Sequence, residues 1–174
     1  MTLAIPRPNA TEYDPHYETY VTKVPEGNLL TILEAQRRET QDLLASIPDG
    51  RALHRYAPGK WSMKEVVGHV TDAERVFSYR ALRFARGDQT PLPGFDEQVY
   101  APAGKFDLRT LPDLAAELDA VRHATIALFG SFDQVSLARH GPASNNEVSV
   151  RALAYIIAGH ERHHVGILRE RYLK

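Results

Sequence analysis

Apolar positions recur at three- and four-residue intervals in four stretches of this chain, the period of helices with one face turned inward. The first stretch runs from about Asn28 to Ile47 and carries Leu29, Leu30, Leu33, Leu43, Leu44 and Ile47 on a broken apolar face. Asn28 is its N-cap, since its side-chain oxygen can accept from the first free backbone N–H groups, and Pro48-Asp49-Gly50 ends it. The second opens on Ser62-Met63-Lys64-Glu65, a capping box in which the serine caps the helix and the glutamate reaches back. Trp61 stands just outside, placed to staple the helix start to the core. Val66, Val67, Val70, Ala73, Val76, Phe77 and Leu82 continue the stripe to a stop near Gly87-Asp88, after Arg83 and Arg86. A third helix starts near Thr110 with Pro112 in its first turn, and follows Leu114, Leu118, Val121, Thr125, Leu128 and Phe132. Ser149 caps a fourth, from Val150 to about Leu173, whose stripe is Leu153, Ile156, Ile157, His160, His164, Ile167 and Leu168.

The stretches between lack this period. Residues 1–27 contain prolines 6, 8, 15 and 25 and tyrosines 13, 17 and 20, which predicts an extended strap whose aromatics pack on the body. Residues 87–109, with Pro91, Pro93, Gly94, Pro102 and Gly104, form a loop long enough to cross over or cover one end of a bundle. A second loop, about 134–148, contains Gly141-Pro142 and Asn145-Asn146. No convincing strand alternation, internal repeat or low-complexity segment is present. The predicted fold is all-α: a four-helix bundle over residues 28–174 with a long crossover loop between helices two and three, preceded by the N-terminal strap at 1–27.

Composition narrows the function classes. The 174 residues fit one domain, and 43% hydrophobic with 25% charged residues describes neither a disordered nor a membrane chain. A formal net charge of -1 lacks the basic surplus of a general nucleic-acid or anionic-membrane binder. No apolar run approaches the ~18 residues of a membrane span, and Met1 to Pro8 lack a signal peptide's basic region followed by an apolar run. The expectation is a cytoplasmic protein with no membrane and no nucleic-acid partner. With no cysteine, a disulfide, a thiolate metal site and a cysteine nucleophile are all excluded, so any thiol must arrive with a substrate.

The eight histidines carry the chemistry. His160 and His164, four apart, share one side of the fourth helix within its apolar stripe. Two inward imidazoles are costly unless hydrogen-bonded or metal-bound, and the pair alone leaves both readings open. His69, in register with Val66, Ala73 and Val76, also faces inward from the second helix. A pair from one helix with a third ligand from another is how bundles build metal sites, and three nitrogens leave a position open for water or substrate. Imidazole suits zinc, nickel, copper and iron alike; zinc leads because its chemistry needs no redox partner. His163 lies about 100° around the helix from His164, a surface or supporting place. His16, His54 and His140 fall in loops, and His123 falls off the third helix's stripe.

Asp72, three residues after His69, and Glu161 are candidate catalytic carboxylates that orient a ligand or take a proton; Glu74 is a further one. Each has a plainer reading as a surface salt bridge, for instance with Arg75 or Arg162. Arg80 and Arg83 are candidate ligands for a substrate carboxylate. His160-Glu161-Arg162-His163-His164 also matches the H-E-x-x-H pattern of zinc metalloproteases. Ten residues remain after it, too few for a downstream third ligand, and no strand-rich half is evident to hold an extended peptide.

Lys60-Trp61-Ser62-x-x-Glu65, Gly68-His69-Val70 and Asp72-Ala73-Glu74-Arg75 together resemble the second helix of the DinB-like proteins. Tyr79-Arg80-Ala81-Leu82-Arg83, Ala85-Arg86-Gly87-Asp88 and Gly159-His160 with His163-His164 fit the same family. That family includes the YfiT-type proteins, assigned as metal-dependent hydrolases, and thiol transferases that use bacillithiol or mycothiol. The resemblance implies a four-helix bundle with a long crossover, a metal site at His69, His160 and His164, and a homodimer. The resulting expectation is a metal-dependent transferase or hydrolase. It would activate a low-molecular-weight thiol or water on a divalent ion, zinc or nickel, to attack a small-molecule substrate. A stress-related bundle whose metal only stabilises, stores or senses is the non-enzymatic alternative.

Overall fold

The computed structural model describes residues 4–174. Four long helices form the body: α2 (Leu29–Ala45), α3 (Met63–Ala85), α5 (Leu111–Gly130) and α7 (Val150–Ile167), the last running on into a π turn at Leu168–Tyr172. Each starts at the cap the sequence predicts. Asn28, Ser62, Thr110 and Ser149 accept from the backbone N–H groups of Thr31, Glu65, Asp113 and Ala152, and Glu65 completes the capping box at Ser62. Short helices fill the connections: α1 (Glu18–Val21) in the strap, α4 (Glu97–Ala103) in the crossover and α6 (Gln134–Ala138) after α5.

Side-chain pairs give the topology. Arg37 meets Asp119 and Gln41 meets Ala115, so α2 and α5 are antiparallel. Glu74 meets Arg122 and Ser78 meets Thr125, so α3 and α5 run parallel. α7 packs against both α2 and α3, while α2 and α3 face each other across the diagonal. Because α3 and α5 are parallel neighbours, the chain must return along the full length of α3, about 34 Å for its 23 residues. The long loop does this. Leu92 pairs with Ala143 near the far end, Phe95 lies edge-on to Phe77, Phe106 seats over Gly68, and Asp107 accepts from Ser62 at the near end. A side chain at Gly68 would put its Cβ 2.4 Å from the Phe106 ring.

Two regions differ from the sequence expectation. The strap is a series of short turns, with 3-10 turns at Ala10–Glu12 and Pro15–Tyr17 before α1, and its Ile5, Tyr13, Val21 and Val24 enter the main core. Residues 140–149 form a hairpin, β1 (His140–Ala143) antiparallel to β2 (Asn146–Ser149), where a loop was expected. Ser144 and Asn145 turn it at positive φ, 52° and 67°. The two strands are too short to show an alternating pattern, and Pro142 is tolerated in a sheet that is all edge.

The apolar interior is split into two clusters, one around Leu33, Phe77 and Ile156 and one around Met63, Leu114 and Leu168. A buried polar layer lies between them. Arg122, 1% exposed, donates two bonds to Glu74 (2.8 and 2.7 Å) and one to Glu161 (2.7 Å). Gln36 and Thr40 of α2 each donate a further 2.7 Å bond to Glu161. All four helices thus meet at one ionic node. Replacing Arg122 with alanine leaves two buried carboxylates unpaired and should cost about 3–5 kcal/mol of unfolding free energy in urea titrations. Arg37→Ala, which removes partly exposed ion pairs with Asp119 and Glu34, should cost only about 1 kcal/mol.

Candidate metal centre

His69 sits two turns into α3, and His160 and His164 lie on the third and fourth turns of α7. The antiparallel packing of these helices brings the three rings together. Their centroids are 4.9, 4.8 and 4.5 Å apart, and His69 Nε2 lies 3.0 Å from His160 Nε2. One ring nitrogen from each residue falls within 4.8 Å of the others. Nitrogens about 2.0–2.1 Å from one tetrahedral zinc stand about 3.3 Å apart, so the cluster matches a single ion with little movement. Burial lowers the pKa of all three imidazoles: His69 to about 4, His164 to about 3 with help from its histidine neighbours, and His160 well below its ordinary value. At neutral pH all three rings are therefore neutral and offer lone pairs. The residues fit a divalent metal ion with imidazole preference.

The cluster forms one wall of a cavity of about 310 Å³. The other walls come from the segments that lack helical periodicity. The strap supplies His16, Tyr17 and Tyr20; the crossover supplies Phe95, Glu97 and Gln98. Tyr20 lies edge-on to His160 at 5.3 Å and to His163 at 5.4 Å. Gly159 makes that approach possible, because a Cβ there would sit 2.0 Å from the Tyr20 carbonyl oxygen. Trp61, read as a staple, stands 4.9 Å from His69 and borders the cavity as well. Tyr172, in the π turn after α7, holds it by donating to the Trp61 carbonyl at 2.7 Å.

The remaining sequence candidates are spread more widely. Glu161 is tied to Arg122, Gln36 and Thr40 in the polar layer, and does not border the cavity. Asp72 faces Arg75, and Arg83 pairs with Asp88 and Tyr79 near the end of α3. Neither reaches the histidines. Arg80 is buried beside a neighbouring cavity. Glu97 is the carboxylate on the cavity wall, and its charge, after burial, raises the Tyr20 pKa. Nothing in the sequence marks Glu97, which sits in the first turn of a short helix inside the crossover. His163 was placed at the surface or in support; it borders the cavity, half-buried, with its pKa lowered by burial and by Lys23.

Fold and cluster together define a class: a four-helix bundle with an inward three-histidine cluster open to a cavity. Residues 32–168 match the DinB superfamily, and the chain belongs to it. A Bacillus licheniformis protein, provisionally named a metal-dependent hydrolase, is 28% identical over 84% of this chain and 93% of its own length. An Oceanobacillus iheyensis protein with the same provisional name is 22% identical over 79% of each chain. Among solved structures, YfiT from Bacillus subtilis, provisionally described as a metal-dependent hydrolase of unusual four-helix bundle topology, superposes with a TM-score of 0.75 at 16% identity over 91% of both chains. A mycothiol-dependent maleylpyruvate isomerase superposes with a TM-score of 0.67 at 11% identity, over 83% of this chain and 61% of that one.

The buried imidazoles make the stability of the metal-free protein depend on pH. Their folded pKa values lie below the value near 6.5 of an unfolded histidine, so the unfolded chain binds more protons between pH 6.5 and about 4. Stability is then level above about pH 7 and falls as pH drops through that window. Each histidine contributes at most about 1.4 kcal/mol per pH unit. Urea midpoints measured from pH 8 to pH 4 should show this fall, with a shallower slope in His164→Gln.

Proposed function

We propose that this chain is a metal-dependent enzyme whose divalent ion, zinc or nickel, is held by His69, His160 and His164. The observation that carries the reading is the convergence of three neutral imidazoles on one point at the edge of an open cavity. A bound ion supplies Lewis acidity, lowering the pKa of a nucleophile beside it. Among the described residues the cluster offers three protein donors, which suits a catalytic site better than the closed four-ligand set of a structural one. That favours an enzyme over a bundle that only stores or is stiffened by metal.

The names of the relatives support water as the nucleophile and hydrolysis as the reaction. Transfer of a small thiol is the second reading. It draws on the likeness to a mycothiol-dependent fold and on the absence of cysteine, which requires any sulfur nucleophile to come from outside the chain. In both, Tyr17, Tyr20 and Phe95 give the open cavity aromatic walls, and Trp61 packs against His69. Glu97 and His163 border the same space and are positioned to take the proton a nucleophile loses. The metalloprotease arrangement needs Glu161 beside the metal, whereas three donors hold that carboxylate inside the polar layer.

Purified protein loaded with zinc or nickel should bind one equivalent by elemental analysis, and His69→Ala or His160→Ala should bind none. Activity found in a screen of hydrolysable esters and amides, or of electrophiles offered with low-molecular-weight thiols, should fall by more than about a hundredfold in His160→Ala. In Glu97→Gln or His163→Gln it should fall by about 10²–10⁴-fold with metal retained, if that residue is the base. Failure of the wild type to take up either metal would overturn the reading.

A further inference from the structure

A second cavity, of about 220 Å³, adjoins the first and shares His16, Tyr17 and Ser144 with it as walls. Arg80 lines it and is 3% exposed. The contrast with Arg122, the other deeply buried arginine, is informative. Arg122 is neutralised by two carboxylates. Among the described residues no carboxylate lies within ion-pair distance of Arg80. One of its terminal nitrogens donates to the Pro93 carbonyl and to Ser144 Oγ, both at 2.9 Å, and its guanidinium carbon lies 5.8 Å from the Phe77 ring centre. Its Nε and its other terminal nitrogen have no protein acceptor among the described residues.

A guanidinium does not deprotonate in a protein, so burial cannot be relieved by loss of charge. Its two free N–H groups are not sealed inside protein but open onto the cavity, where an entering anion would accept charge-assisted hydrogen bonds from them in place of water. Asp14 and Glu147 border the same cavity without pairing to Arg80, and Asp14 is occupied in capping the turn at His16. The negative charge of these two acids acts on any anion that enters. Repulsion grows with ligand charge, so a singly charged carboxylate is favoured over a doubly charged phosphate. The Phe77 ring is near both groups, its centre 6.1 Å from that of His160 and 5.8 Å from the Arg80 guanidinium carbon.

We propose that Arg80 and Ser144 form a carboxylate-binding subsite, and that the small-molecule substrate of the histidine centre carries a carboxylate at the end remote from its reacting bond. The second half rests on the metal-dependent reading above; the first half stands on Arg80 alone.

The test uses the full chain, metal-free and zinc-loaded, titrated with butyrate and separately with inorganic phosphate. Binding is read by calorimetry and by the NMR signal of the Arg80 Nε–H, identified by its loss in Arg80→Lys. Butyrate should shift that signal saturably in the metal-free protein. Arg80→Gln should weaken butyrate binding on the order of tenfold to a hundredfold, the range for a charged hydrogen-bond partner, and Arg80→Lys by less. A purely architectural Arg80 would show no carboxylate-dependent shift, and that result overturns the proposal even if the Gln variant fails to fold. Butyrate that binds only zinc-loaded protein, and equally well in Arg80→Gln, is a metal ligand and also overturns it. Tighter binding of phosphate overturns the choice of carboxylate. Loss of the metal reading would appear separately, as butyrate binding through Arg80 in a protein that takes up no zinc.

Discussion

One buried guanidinium organises this bundle. Arg122 of α5 binds Glu74 of α3 and Glu161 of α7, and Glu161 is bonded in turn by Gln36 and Thr40 of α2. Sliding α3 against α7 by one turn would strand at least one buried carboxylate, which no apolar contact would penalise as heavily. We read the layer as the device that sets helix register. The histidine cluster inherits that register. Glu161 directly follows His160, and Glu74 lies five residues beyond His69 on α3, so the bonds that align the carboxylates bring the imidazoles face to face.

The helices and the histidine cluster were legible from local pattern because local physics decides them. Four capping residues mark four starts, and a stripe that places His69, His160 and His164 among apolar residues marks them as inward. The role of Glu161 was not legible. Its partner Arg122 stands 39 positions away and on another helix, whereas Arg162, the neighbour that the sequence offers, is not its partner. The same limit applies to Arg80, with which no carboxylate among the described residues forms an ion pair. The hairpin at 140–149 escaped because its strands are too short for alternation, although Ser144 and Asn145 occupy the positive-φ positions such a turn requires.

The cavity walls were the least legible part. Helices supply the clustered histidines, but the strap and the crossover supply most of what faces them, and those segments have no period to read. Their placement depends on two glycines, each one residue before a clustered histidine. Gly68, before His69, admits Phe106 of the crossover; Gly159, before His160, admits the backbone of the strap at Tyr20. The Gly-His pairs therefore do two jobs at once: the histidine points into the site, and the glycine lets a covering segment lie close on the helix beside it.

The strap has a consequence for the order in which the molecule assembles. Glu12 is bonded by Ser149, 137 positions later, and Tyr20 rests against Gly159. Contacts this distant in sequence close last and slow the search, because the entropy of the intervening chain is lost before they form. The strap's tyrosines stay uncovered until α7, more than a hundred positions further along, is in place. The histidine cluster, in which His69 stands 91 positions before His160, is likewise incomplete until α7 arrives. An ion caught between α3 and α7 would then act as a late clasp, joining helices already formed rather than seeding them.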